Sequence, residues 1–169
     1  FGIQSCPDRE VGVSLTQQAE LLGMSERIAY ENRRVKWMAQ YLMNDAFDKG
    51  RSQTGLRFVD GKPKPSFDGF RLPLAVRESG SRVSLWGRVR PAVGQQNVTV
   101  LFADKGREFE RLRDVRTDSR GVFVFTDAKR NGRRWQLQWT DSNGVTYKGA
   151  PVRSYPKTLD KTDSYEPCK

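Results

Sequence analysis

Glu20, Glu26 and Glu31 are the acidic side chains first considered for general acid–base work, because the chain contains no histidine. Without histidine, a Ser-His-Asp triad, a Cys-His pair and a His-ligated metal site are excluded. The three glutamates fall in one helical segment at the spacing of a solvated face, and Asp8 falls in a loop. No catalytic residue is therefore assigned, and no metal or cofactor is expected. Aromatic side chains offer a second chemistry, stacking against a ligand. Trp135 and Trp139 lie four apart in an alternating segment and so share one face. Outward they would form a platform with Trp86; their size favours the core. Trp37, early in an apolar run, is also read as core. Cysteines occur only at Cys6 and Cys168. They can pair in a secreted protein or remain two thiols, and their spacing alone does not decide.

The formal charge is +10 and unevenly spread. Residues 76–152 carry 15 basic against 8 acidic side chains, with the densest run at Arg130–Arg134, "RNGRR". A solvated arginine-rich surface is the expected reading, since no nucleic-acid-binding motif accompanies the charge. No apolar run approaches the roughly 20 residues of a membrane span.

The elements that must position these groups change character along the chain. "VSLTQQAELLGMSERIAYENRR" reads as a helix, with Ser14 and Gln17 at capping-box spacing. Leu15, Ala19, Leu22 and Ala29 form its apolar stripe, and Gly23 marks a kink or break. Val35–Met43, "VKWMAQYLM", suits a strand buried on both faces, although a helix fits its periodicity nearly as well. "QTGLRFVDGKPKPSFDGFRLPL" contains a turn at Asp60-Gly61 and a short helix opening at Pro65. A boundary follows near Leu74–Gly80, after which hydrophobic residues alternate. "RVSLWGRVRP", "QNVTVLFAD", "REFERLRDVRTD", "GVFVFTD", "RRWQLQWTD" and "GVTYKG" are six strand candidates, implying a β-sandwich. Three regions result: 1–75, the sandwich at 76–152, and a polar tail at 153–169.

"FGIQSCPD", the long helical segment and the run "QYL…TGLRFVDGKPKPSFDGFRLPL" together resemble the C-terminal end of a secreted bacterial (β/α)8-barrel glycoside hydrolase of the cellulase-like retaining superfamily. The resemblance covers roughly residues 1–75. It implies an α+β chain: the last two βα units of a barrel, followed by an all-β sandwich resembling fibronectin-III or prealbumin-like modules. "FGIQS" would end strand seven and Val35–Leu42 would be strand eight. The nucleophilic and acid/base glutamates would both lie outside this chain, which reads as a fragment or processed product and is expected to be inactive alone. Residues at strand C-terminal ends edge a barrel cleft, so the resemblance implies substrate contacts from Gln4, Ser5, Gln40, Tyr41 and Asn44. It further implies a carbohydrate partner, an extracellular location and a monomer, without nucleic acid or membrane. The competing reading is a non-catalytic module whose β domain binds carbohydrate or another acidic polymer through Trp86, Trp135, Trp139 and the arginines.

Overall fold

The computed structural model describes residues 1–48, 52–91, 94–156 and 166–168. Helix α1 spans Leu15–Glu31 and α2 Pro65–Arg71. The strands are β1 (Leu74–Ser79), β2 (Arg82–Arg88), β3 (Asn97–Ala103), β4 (Glu110–Arg116), β5 (Val122–Ala128), β6 (Arg134–Thr140), β7 (Thr146–Lys148) and β8 (Val152–Tyr155). Each of the six alternating segments carries one strand, β2 to β7. β1 and β8 were not anticipated.

The sheet runs β4-β3-β6-β8-β1-β2-β5, with β7 on the side of β6. Short β8 is the seam, pairing parallel to β1 and antiparallel to β6. Period-two alternation points one side of each strand inward. Val83, Leu85, Val98, Val100, Phe123, Trp135, Leu137 and Trp139 meet there in one core. The tryptophans of β6 are thus core, and no outward platform forms from them. β2 is buried on both faces. Trp86 points away from the main core to join Ala75 and Val122, where the Tyr30 ring of α1 stands 5.7 Å from its own.

α1 begins as its sequence implies, with Ser14 Oγ accepting from the Gln17 N–H at 3.1 Å. The reciprocal half of the capping box is replaced. Gln17 Oε1 accepts from the N–H of Glu166 at 2.7 Å, and the Ser14 N–H donates to the Glu166 carbonyl at 2.7 Å. A disulfide between Cys6 and Cys168, with Cα atoms 5.2 Å apart, holds this C-terminal strap against the helix start. The helix continues unbroken through Gly23. A Cβ there would stand 2.5 Å from the Leu74 carbonyl oxygen, so the glycine lets helix and strand backbones touch and introduces no kink.

The reading of residues 1–75 as the last two βα units of a (β/α)8 barrel is overturned, and with it the α+β fold class and the TIM-barrel assignment. Such an ending needs parallel strands alternating with helices. Here Phe1–Gln4 and Val35–Leu42 lie outside every strand, and Ser5 forms only an isolated bridge to Val13. The described residues are dominated by sheet with two helices, and β1–β8 is the parallel pair among the named strands. The failure has a physical cause. An apolar run becomes a buried strand only when hydrogen-bonding neighbours flank it, whereas Val35, Trp37, Met38, Tyr41 and Met43 are all exposed. Two glutamates also depart from expectation: Glu20 and Glu26 are buried rather than solvated.

Gly23→Ala tests the helix–strand contact. Helix propensity favours alanine by about 1 kcal/mol, but the clash with the Leu74 backbone predicts a net destabilisation of about 1–3 kcal/mol, read from the urea midpoint. An unchanged or raised midpoint would show that the two backbones can separate freely.

Candidate binding site

The five residues singled out from sequence serve the local backbone to different degrees. Ser5 is wholly buried, and its hydroxyl donates to the Gln53 carbonyl at 3.2 Å. Gln4 Nε2 donates to Asp8 Oδ2 at 2.8 Å, and Gln40 Nε2 to the Thr54 carbonyl at 2.7 Å. Ser5 and Gln40 thus both fasten one extended stretch, Gln53-Thr54, while Gln4 braces the neighbouring Asp8 loop. Tyr41 bonds through its backbone to the Phe1 carbonyl at 2.8 Å and exposes its side chain. Asn44 is exposed and bridges to Arg57.

Beneath Ser5 lies a buried ionic cluster. Lys64 Nζ donates to Asp45 Oδ1 at 2.7 Å and to Ser5 Oγ at 3.0 Å. The side chains of Lys64 and Asp45 are 0% and 1% exposed. Burial drags the Lys64 ammonium below its ordinary value, against the opposing pull of the Asp45 carboxylate. A serine beside a lysine of lowered basicity resembles a nucleophile with its base. Ser5, Lys64 and Asp45 are all buried, however, so the cluster is structural: it pins the extended N-terminal segment to the start of α2.

The accessible site lies along the C-terminal half of α1. A cleft of about 500 Å³ is lined by Glu26, Ala29, Tyr30, Val35, Lys36, Trp37, Met38, Arg88, Arg90 and Arg120. Trp37 is 81% exposed, the reverse of the core placement expected for it. Arg88 and Arg90 come from the end of β2 and just beyond it, two residues apart and therefore on one side of the chain. Their orientation is set by Glu26 of α1, whose Oε1 accepts from Arg88 Nη1 at 3.3 Å and from Arg90 Nη2. Arg90 also donates to the Phe70 carbonyl at 2.6 Å, with its guanidinium 4.5 Å from the Phe70 ring centre. Arg120, from the turn before β5, lies 4.9 Å from the Tyr30 ring centre, donates to the Tyr30 hydroxyl, and pairs with Asp118 at 3.3 Å. Burial works to raise the Asp118 carboxyl. The N–H groups of Val122 and Arg120 and the Arg120 guanidinium outweigh it and hold the carboxyl below its usual value.

The cleft therefore offers an aromatic face and four cations against a single lining carboxylate, Glu26, that two arginines already occupy. Its chemistry suits a ligand with an apolar face and negative charge. Arg88, Arg90, Arg120, Tyr30 and Lys36 were not singled out from sequence. The alternation in "GRVRP" carried a signal for the first pair. Arg120 and Lys36 come to the cleft by tertiary folding, which spacing does not reveal.

No family model and no curated protein matches the chain. Among solved structures it is similar in part to the pectate lyase PelI from Erwinia chrysanthemi in complex with tetragalacturonic acid, at 15% identity and a TM-score of 0.38 over 48% of this chain and 27% of that one. Two crystal structures of the pectate lyase Pel3 from Pectobacterium carotovorum resemble it at 14% and 15% identity, both with a TM-score of 0.39. They cover 48% and 53% of this chain and 26% and 28% of theirs. The chain thus spans little more than a quarter of these proteins, and a likeness of this extent says nothing of ligand or reaction. The three are lyases by name, and the expected glycoside-hydrolase resemblance finds no counterpart among them.

The buried pair supplies a test of its structural role. Lys64→Met should cost about 3–5 kcal/mol by leaving Asp45 buried and unpaired, whereas Lys64→Met with Asp45→Leu should recover most of that loss. Urea denaturation of the three proteins measures this. Equal loss in the single and double variants would place the cost elsewhere.

Proposed function

We propose that this chain is a non-catalytic module that binds an acidic polysaccharide in the Trp37 cleft. The carrying observation is Trp37, a large aromatic left exposed beside Arg88, Arg90 and Arg120 in a cleft of about 500 Å³. A pyranose ring presents an apolar C–H face that an indole covers well, and a uronate carboxylate matches the planar fork of a guanidinium. The arginines are held before any ligand arrives, by Glu26, by Asp118 and by the Phe70 and Tyr30 rings. Such restraint lowers the ordering cost of binding. The same contacts weigh against catalysis here, because Glu26 is committed to two guanidiniums and is poorly placed as a free acid or base. An extracellular location goes with this reading, supported by the Cys6–Cys168 disulfide, since such bonds persist in oxidising compartments.

Isothermal titration with polygalacturonate, neutral dextran and duplex DNA tests the proposal. Saturable binding of polygalacturonate and none of dextran is expected, with affinity falling steeply as salt approaches ~1 M and screening shortens to about 3 Å. Trp37→Ala should weaken binding about tenfold, equivalent to ~1.4 kcal/mol. Arg120→Gln should weaken it about fivefold, in keeping with an exposed charge contact. DNA binding as tight as that of the polyuronate, or indifference to Trp37→Ala, would overturn the assignment.

A further inference from the structure

A second concave cationic surface lies at the opposite end of the strands. β2 and β5 are antiparallel, with Arg88 opposite Val122 at one end and Arg82 opposite Ala128 at the other. Seven strand residues separate these ends by about 20 Å, roughly two Debye lengths at physiological salt. The two clefts therefore do not share a field. The far cleft, about 400 Å³, is lined by Lys105, Lys129, Arg133, Arg134 and Arg153 with Glu78 as its only acidic residue. It contains the basic run that stood out in the sequence, and no aromatic side chain lines it.

Three of these cations are committed. Lys129 Nζ meets Glu78 at 2.6 Å. Arg133 forks Asp104 at 2.7 and 3.0 Å, with its guanidinium 4.2 Å from the Phe102 ring centre. Arg153 is occupied by Glu20 and Glu166. Lys105 and Arg134 have no acidic partner among the described residues, and both are exposed. The fold nevertheless brings them to one place. Arg134 stands opposite Ala103 at the end of the β3–β6 ladder, two residues before Lys105. Gly132, in a left-handed conformation at φ +74°, brings the β5–β6 turn so close that a Cβ on it would lie 3.5 Å from Lys105 Cβ.

We propose that Lys105 and Arg134 form a binding site for a tetrahedral oxyanion, a phosphate or sulfate group, between the β3–β4 and β5–β6 turns. Two cations with no acidic partner among the described residues line one concave surface, and an anion between them would relieve their mutual repulsion. A lysine point charge beside a guanidinium fork suits several oxygens on one centre. The absence of an aromatic wall separates this site from the sugar-stacking cleft: it recognises the charged group and not the body that carries it. The proposal does not rest on the polysaccharide reading.

Isothermal titration of the whole chain with inorganic phosphate, against chloride at matched ionic strength, tests it. One saturable site is expected, weakened about fivefold by Lys105→Gln and by Arg134→Gln and unaffected by Trp37→Ala. Both substituted residues are exposed, and an unchanged thermal midpoint will show that the variants fold. A phosphorylated monosaccharide binding as well as inorganic phosphate assigns the site to esters on a larger ligand. Weaker binding of the monosaccharide assigns it to the free anion. A phosphate response no larger than that to chloride, or one that both substitutions leave intact, overturns the proposal.

Discussion

The carboxylate of Glu20 lies in the middle of helix α1 with its side chain fully buried, and a buried charge must be answered where it stands. Strand β8 answers it. The Arg153 N–H donates to Glu20 Oε1 at 2.9 Å, the Arg153 guanidinium reaches both oxygens, and the Tyr155 hydroxyl donates to Oε2. Burial pushes the Tyr155 hydroxyl well above its ordinary value, and the Glu20 charge pushes it further. Burial alone would make Arg153 easier to deprotonate, but Glu20 reverses the effect and holds it charged. The contact matters beyond its own energy because β8 joins the two parts of the sheet. One helix carboxylate thus fixes both the helix on the sheet and the strand through which that sheet is continuous.

The same helix sets the electrostatics of the surface. Along α1, Arg27 reaches the carbonyl and hydroxyl of Ser84 at 2.9 Å each, and Glu31 meets Arg77 at 3.3 Å. Glu26 meets Arg88 and Arg90. Several of the thirty basic residues are therefore interior fastenings, and the net charge overstates how much of the surface is free to meet a partner. What distinguishes the two clefts is how their remaining charge is held. Near Trp37 the arginines are restrained by acids yet keep exposed edges. At the far end Lys105 and Arg134 have no acidic partner among the described residues.

Strands β2 to β7 were legible because alternating hydrophobicity is a local signal that survives in one face of a sheet. β8 was not, since "VRSY" is short and does not alternate: Val152 enters the core, while Arg153 and Tyr155 are tied to Glu20 of α1. β1 was obscured in another way. Leu74, Ala75 and Val76 are all buried, so it lacks alternation where α1 covers one face and the core the other. The error at Val35–Met43 is the converse. The residues have strand-like composition, but composition cannot supply neighbouring strands. The same run placed Trp37 wrongly, because a position early in a supposed strand implies core only if that strand forms, and Trp37 is exposed. Ser5 and Gln40 had been chosen for a barrel rim; without the barrel they prove to be fasteners of the Gln53-Thr54 backbone.

The C-terminal strap shows how the remaining pieces depend on one another. The orphan N–H of Glu166 is taken up by Gln17, its carbonyl accepts from Ser14, and its carboxylate meets Arg153 Nη1 at 2.5 Å. Arg153 therefore joins Glu20 inside to Glu166 at the surface, while the disulfide keeps Glu166 within reach. A link closing some 162 residues removes much of the unfolded chain's freedom, an effect of about 5 kcal/mol on the chain-entropy account. The gain reaches the cleft without any contact to it. The strap steadies the start of α1, Glu20 steadies its middle, and Glu26, six residues on, holds the two arginines that face Trp37. Both ends of the chain thereby bear on the position of a site that neither lines.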